Sequence, residues 1–428
     1  MRRGASLVLG LVLLLPGIAA AQPLTPRRGL PDDAGYAQRQ LDLLGPEHLL
    51  REALRVTRAR WYDRPARDDA ARWEALRARW SPEAAAARTP AALHEVVNRM
   101  LGELGVSHLA LVERDVYERE LAGEFRAAPS LRLGAELILL DGRLFLDGVN
   151  HGGPADAAGL REGDEVVTID GAPALGGAPA RPEVHVALDP AGHDPGLPGP
   201  PGYFLRPPGD TVTLGVRRAA GGPVEAVVVP LRASSMVEAV SASARVVEVD
   251  GRRVGVIRLW HFMTMQVAQR LEEALDGPLA AADALVLDVR GRGGQDAVVR
   301  RVLALFHGRR ARWDRPVVVL TSEGTRSAKE IFAYHWKRAE RGPVVGERTQ
   351  GACLGCTFTQ LSDGSILMVP VVDVRRLTGG EQLEGRGVEP DVAVGQLPLP
   401  YRAGRDAILE AGLREAAARA APEPARSF

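Results

Sequence analysis

Between residues 254 and 346, short apolar runs alternate with amphipathic stretches, and this alternation limits the possible folds more than any other feature. Val254 to Leu259, Ala284 to Val289 and Val317 to Thr321 are rich in Val, Leu and Ile and show no polar alternation. Such runs read as strands covered on both faces. Helical patterns separate them, from Thr264 to Leu275, Asp296 to Phe306 and Ser327 to Arg338, and Val344-Val345 starts another strand. Strands joined by helices of this length form crossover units and a largely parallel sheet. The expected class is α/β and multi-domain, because most of the 428 residues lie outside this segment.

The rest of the chain divides by local pattern. Arg2 and Arg3, the apolar run Leu7 to Leu15, and Ala19-Ala20-Ala21 form a basic, apolar and small-residue succession that reads as an export signal cleaved after Ala21. Residues 22–35 are a polar lead-in. From Tyr36 to about Gly105 the apolar residues recur at helical spacing, with Leu49, Leu50, Leu54, Trp73, Leu76 and Trp80 among them. Ser81-Pro82-Glu83 and Thr89-Pro90 read as helix starts with Pro at the first turn. Ser107 to Val112 reads as the following strand. Leu139-Leu140-Asp141-Gly142 begins a hairpin signal, and residues 152–171 read as a short helix, a turn, a strand and a second turn. Residues 173–209 are dense in Pro and Gly and read as an extended loop. Residues 402–420 form an Ala, Arg and Glu-rich tail helix.

These patterns give five segments: 1–21, signal; 22–125, helical; 126–235, β-rich with the 173–209 insertion; 236–400, the α/β core; and 401–428, the tail. Lys+Arg and Asp+Glu are both 54, so a zero net charge supplies no general attraction for nucleic acid. With two cysteines, a disulfide-built scaffold and a Cys-only zinc site are excluded.

In sheets of this kind ligands collect where strands end and helices begin. Two loops fit, Asp288 to Gly294 and Thr321 to Ser327. Ser327 opens a helix, so its hydroxyl can cap the helix or act as a nucleophile beside free N–H groups. The accompanying motifs favour the second role. Gly324-Thr325-Arg326-Ser327-Ala328-Lys329-Glu330-Ile331, Gly346-Glu347-Arg348-Thr349, Leu361-Ser362-Asp363-Gly364 and Glu384-Gly385-Arg386-Gly387-Val388-Glu389-Pro390-Asp391 occur in that order. Together they resemble the tail-specific, or C-terminal-processing, serine peptidase family. The 130–172 segment resembles the PDZ domain that such peptidases carry. The resemblance implies Ser327 as nucleophile and the N–H groups of Gly293 (or Gly294) and Ala328 as an oxyanion hole.

The base departs from the commoner family pattern, which places a lysine shortly after the Gly-Glu-Arg-Thr motif. Here that stretch is Gly351-Ala352-Cys353-Leu354-Gly355-Cys356, and the chain's two lysines are Lys329 and Lys337. Lys337 should lie about 15 Å from the helix start. Lys329 is two residues from Ser327, a spacing that does not share a helix face, and reads as a surface or ion-paired residue. Ser107-His108 instead resembles the Ser-His pair of the tricorn-core branch of the family. That resemblance implies His108 as general base, Glu384 as its acidic partner and Ser107 as an assisting hydroxyl, with Glu389 the competing acid. Imidazole suits the task because it titrates near neutrality.

The PDZ-like segment would take an extended peptide by strand addition, with Leu133-Gly134-Ala135 holding a terminal carboxylate, or would gate the site. Glu136 would oppose a carboxylate if it pointed inward. Cys353 and Cys356 have redox-motif spacing and are either a local disulfide or two buried thiols. His94-Glu95-Val96-Val97-Asn98 approaches a zincin helix, but Asn98 replaces the second ligand. His261 reads as structural. The sequence thus implies a periplasmic or secreted serine endopeptidase acting on polypeptides, with no metal or cofactor, no nucleic acid partner and no stable membrane insertion after signal removal. The alternatives are a non-catalytic peptide or hydrophobic-ligand binder on the same fold, or a PDZ-type adaptor.

Overall fold

The computed structural model describes residues 35–114, 117–118, 122–126, 133–175, 184–186, 201–204, 209–309, 311–396 and 405–420. Residues 1–21, read above as an export signal, lie outside them. No helix among the described residues is long and apolar enough to cross a membrane.

The crossover pattern gives the expected sheet. Strands Arg252–Arg258, Ala284–Asp288, Val317–Thr321, Val344–Gly346 and Val392–Ala393 run parallel, with Arg245–Val249 antiparallel at one edge. Side chains alternate between two cores, as strand geometry requires. Leu285, Leu287, Val317 and Val319 face the large cluster built with helices Met265–Asp276, Asp296–Ala304 and Ala328–Arg338. Val254, Val286, Val318 and Leu320 face the tail helix Ala407–Ala420. Helix Met236–Ser243 also packs on the large cluster. A capping box, which the sequence reading did not pick out, starts it: Ser235 Oγ accepts from the Glu238 N–H at 3.2 Å and Glu238 accepts from the Ser235 N–H at 3.1 Å.

Helices Tyr36–Leu44, Pro46–Arg60, Ala70–Ala86 and Pro90–Gly102 form the early region. Thr89 caps the last of these, its hydroxyl accepting from the Ala92 N–H at 3.2 Å. Ser81-Pro82 does not start a helix: Pro82 lies inside Ala70–Ala86, where Trp73, Leu76, Trp80 and Ala84 bury one continuous face across it. The early region is joined to the core by a three-stranded antiparallel sheet of Ala110–Val112, Ile366–Asp373 and Leu354–Gln360. Leu367 and Val369 of this sheet, with Leu361 of the turn between its strands, complete the helical core. The first strand begins at Ala110, not Ser107. Asn98 locks it in place, donating to the Leu111 carbonyl at 2.9 Å and accepting from the Leu111 N–H at 2.8 Å.

The β-rich segment forms its own sheet and core. The hairpin Glu136–Leu140 and Arg143–Asp147 turns at Asp141 and Gly142, whose φ angles are 48° and 70°. This left-handed pair is what an Asp-Gly turn supplies. Within the Pro/Gly-rich insertion, Val184–Val186 and Pro201–Phe204 are strands rather than loop, and Leu137 and Ile138 pair with Gly202 and Pro201.

The tail helix is pinned to the core by a buried ion network. Arg290 donates to Asp288 at 2.6 and 2.9 Å and to Asp406 at 2.6 and 2.9 Å. Burial raises the Asp406 carboxyl, but the Arg290 guanidinium more than offsets this and holds it well below the usual range. Replacing Asp406 with Ala would leave part of a buried guanidinium unpaired. We expect a loss of about 3 kcal/mol, read as a lower urea midpoint at unchanged slope; an unchanged midpoint would contradict this account of the tail.

Candidate active site

Ser327 sits at the mouth of helix Ala328–Arg338 with φ 57° and ψ −125°. An L-residue occupies this left-handed region only where its surroundings impose it. Here the Ser327 N–H donates to the Ala352 carbonyl at 2.9 Å and to Glu330 Oε2 at 3.0 Å, and its carbonyl accepts from the Glu330 N–H at 2.9 Å. The turn therefore presents a partly exposed serine at a strand-to-helix junction.

Gly293 lies flat against that turn. A Cβ on Gly293 would stand 2.4 Å from the Ser327 Cβ and 3.1 Å from its Oγ, so only glycine fits. The Gly293 carbonyl accepts from the Phe262 N–H at 2.8 Å, which aligns the loop. The N–H groups of Gly293 and Ala328 have no hydrogen-bond acceptor among the described residues. Two free donors beside a serine oxygen are what an oxyanion needs.

Ser107, His108 and Glu384 are joined directly. Glu384 Oε1 accepts from the Ser107 N–H at 2.8 Å, and Oε2 accepts from Ser107 Oγ at 2.9 Å. Ser107 Oγ lies 2.8 Å from His108 Nδ1. The single hydroxyl proton of Ser107 goes to Glu384, so Nδ1 must be the protonated ring nitrogen and donate to Oγ. That leaves His108 Nε2 as the basic nitrogen. Burial, and then Arg326, push the His108 pKa well below its usual 6.5, which keeps the ring neutral. His108 is itself in the left-handed region, with φ 58°, which is why the pair forms a bend before the strand.

A short path connects this group to Ser327. Glu384 Oε2 also accepts from the Cys353 N–H at 2.6 Å, and the preceding residue, Ala352, accepts the Ser327 N–H. Among the described residues no hydrogen bond joins the His108 ring to the Ser327 hydroxyl, a contact that commonly tightens only with substrate bound. Glu389 is exposed and stands 3.8 Å from Arg348, so it does not compete with Glu384. Lys337 is engaged with Asp391 and the Glu389 carbonyl.

Lys329 is not a surface residue. It is fully buried, and its ammonium donates to the carbonyls of Trp260 at 3.0 Å and Arg290 at 2.9 Å. It props the floor of the 288–294 loop from the inward face of the helix. Glu330, which carried no role in the sequence, is also fully buried and accepts from the Ser327 N–H. Its position three residues after a helix-opening Ser was the available signal. His94 pairs with buried Asp363 at 2.6 Å, and His261 Nδ1 accepts from the Met263 N–H at 3.0 Å; neither belongs to a metal cluster among the described residues. Burial, then Lys329 and Arg292, lower His261 to about 3.

The Leu133-Gly134-Ala135 loop does not offer an open strand-addition groove. Leu133 is buried, the Leu133 and Gly134 carbonyls accept from the Ala155 and Asn150 N–H groups, and the edge of strand Glu136–Leu140 is already paired with Pro201–Phe204. Glu136 instead ion-pairs with Arg292 of the glycine loop at 2.7 Å.

A family model described as Peptidase family S41 matches residues 300–394, a stretch that includes Ser327 and Glu384. Tricorn protease homolog 1 of Streptomyces coelicolor is 28% identical over 396 residues, covering 83% of this chain and 34% of that protein. The chloroplastic C-terminal processing peptidase of Tetradesmus obliquus is 29% identical over 281 residues, covering 58% of this chain and 56% of that protein. Among solved structures, the photosystem II D1 C-terminal processing protease aligns with a TM-score of 0.49 at 22% identity, over 84% of this chain and 98% of that one. The chain spans 34% and 56% of the length of these two curated relatives.

Cys353 and Cys356 are free thiols here, not a disulfide. Cys353 packs in the large core, with Sγ 3.7 Å from the Ser327 carbonyl. A bulge between Gly355 and Cys356 offsets the second thiol along the strand. Burial pushes both thiols up, Cys356 to about 11. At pH 8 both should react slowly with a thiol reagent in the native protein, and two thiols should titrate on denaturation without reductant. Finding none after denaturation would restore the disulfide.

Proposed function

We propose that this chain, a member of peptidase family S41, is a serine peptidase that cleaves polypeptides through Ser327. The observation that carries this reading is the hydrogen-bonded series Glu384, Ser107, His108, linked through Cys353 and Ala352 to a left-handed serine beside two free N–H donors.

The chemistry follows from these groups. Ser327 Oγ attacks the scissile carbonyl while His108 Nε2 takes its proton. The imidazolium so formed keeps Nδ1–H on Ser107 Oγ, and Ser107 passes the field of the Glu384 carboxylate to the ring. The negative oxygen of the tetrahedral intermediate lies between the Gly293 and Ala328 N–H groups, where fixed dipoles need no reorganisation. The imidazolium then protonates the leaving amine, leaving an acyl-enzyme on Ser327. Water, deprotonated by the same Nε2, releases the acid and restores the serine.

For export, the reading rests on the n-region, apolar run and Ala-rich cleavage site of residues 1–21. It places the enzyme in the periplasm or outside the cell. The proposed substrates are unfolded or C-terminally tagged polypeptides. Entry by strand addition at the PDZ-like segment would require Pro201–Phe204 to leave its edge.

Three measurements test this reading. On an unfolded protein such as reduced casein, Ser327→Ala should abolish cleavage. His108→Ala should lower kcat by roughly 10²–10⁴-fold, with little change in peptide affinity. Peptide binding without cleavage by the unmodified chain would favour a non-catalytic binder instead. Expression in a secreting host should yield a mature chain beginning at Gln22; retention of Met1 in the recovered protein would remove the export reading.

A further inference from the structure

We propose that Glu330 is a positioning residue of this peptidase: its carboxylate holds the nucleophile's backbone in the left-handed turn and ties that turn to the loop that carries the catalytic acid. The inference rests on the serine-peptidase reading and adds a residue to its machinery.

Glu330 is fully buried, and three donors converge on it. Oε2 accepts from the Ser327 N–H at 3.0 Å. Oε1 accepts from Thr349 Oγ1 at 2.7 Å and from the Gly351 N–H at 2.7 Å. A carboxylate is an acceptor only when ionised, and a buried one is tolerated only when so satisfied. The Ser327 N–H is thereby shared between Glu330 and the Ala352 carbonyl, and both acceptors hold the peptide plane that sets its positive φ.

The same carboxylate reaches the Glu384 loop through two partners. Thr349 Oγ1 accepts from the Val388 N–H at 2.7 Å, and the Thr349 N–H donates to the Val388 carbonyl at 3.0 Å. The Gly351 carbonyl accepts from the Gly385 N–H at 2.7 Å. Gly387 lies against Thr349 so closely that a Cβ there would stand 2.2 Å from the Thr349 carbonyl oxygen. Glu330 thus sits where the nucleophile turn, the 349–353 loop and the 384–388 loop meet. None of its atoms needs to touch substrate.

Its ionisation supports the assignment. Burial raises Glu330 to about 7, against the lowering effect of the Thr349, Gly351 and Ser327 hydrogen bonds and of Arg326. Cys353, whose thiol feels the Glu330 charge, is pushed up, chiefly by burial, and stays a neutral thiol. His108 is neutral already at lower pH, because burial and Arg326 depress it. As pH rises, His108 therefore becomes competent first and Glu330 ionises second. Protonating Glu330 replaces an acceptor by a donor amid three donors and loosens the turn. The acid limb of activity near neutrality belongs to Glu330, and the His108 limb lies below it.

The test compares full-length enzyme, Glu330→Gln and Thr349→Val on a fluorogenic peptide, with kcat and KM measured from pH 5 to 9 and folding followed by urea denaturation. Gln has nearly the shape of the protonated acid. It should lower kcat at pH 8 by roughly 10–100-fold, the cost of a misplaced nucleophile, leave KM unchanged and remove the limb near pH 7. Thr349→Val deletes a hydrogen bond to the ionised form, so its limb should move to higher pH. If Glu330→Gln does not fold, the direction of the Thr349→Val shift decides. A fully active Glu330→Gln with the wild-type pH profile, or a Thr349→Val limb that stays in place, overturns the proposal while the peptidase reading stands. An inert wild type overturns the peptidase reading and with it any positioning role.

Discussion

The site depends on one carboxylate. Glu384 takes three hydrogen bonds, two from Ser107 and one from the Cys353 N–H, and those donors come from opposite ends of the chain. Without it, the Ser107–His108 bend would be attached to the core only through its following strand. That strand is itself held by the Asn98 clamp on Leu111 and by pairing of Ala110 with Met368. The carboxylate therefore does structural and electrostatic work at once. It fixes the hydroxyl that orients the imidazole, and in the proposed mechanism it supplies the negative charge that favours an imidazolium.

The helix that follows Ser327 carries two buried ionisable groups in its first turn, and they act on different walls. Glu330 suits a helix N-terminus, where the dipole favours negative charge and backbone N–H groups are free. Lys329 is opposed by the same dipole and is held instead by the carbonyls of Trp260 and Arg290. One residue steadies the serine and the acid loop; the other steadies the glycine loop from beneath. Arg290 extends that support to the tail through Asp406, so the N–H groups facing Ser327 rest on a network that ends in the last helix.

Much of this was legible in the sequence where the physics is local. The parallel sheet followed from apolar runs separated by helices, the Asp141-Gly142 turn from its demand for positive φ, and the Thr89 cap from a side-chain oxygen before Pro90. The reading failed where a distant contact decides. Pro82 resembles a helix start until the continuous buried face of Trp73 to Ala84 overrides it. Ser107-His108 has strand-like neighbours, yet Glu384, some 280 residues away, draws the pair into a bend. The surface alternative for Lys329 fails because no local pattern announces two carbonyls waiting in the core. The Pro201–Phe204 strand is hidden by Pro and Gly and forms only because Glu136–Leu140 has an edge to offer. Ser327, by contrast, was singled out through the order of its motifs and not through its helix-start position, which suits a cap equally well.

The central claim, that Ser327 is an activated nucleophile served by His108, is tested most directly by covalent labelling. A fluorophosphonate probe followed by peptide mapping should place one adduct on Ser327. The labelling rate should fall sharply when His108 is replaced and partly when Glu384 becomes Gln. An adduct on another serine, or equal labelling of Ser327 with and without His108, would contradict the account.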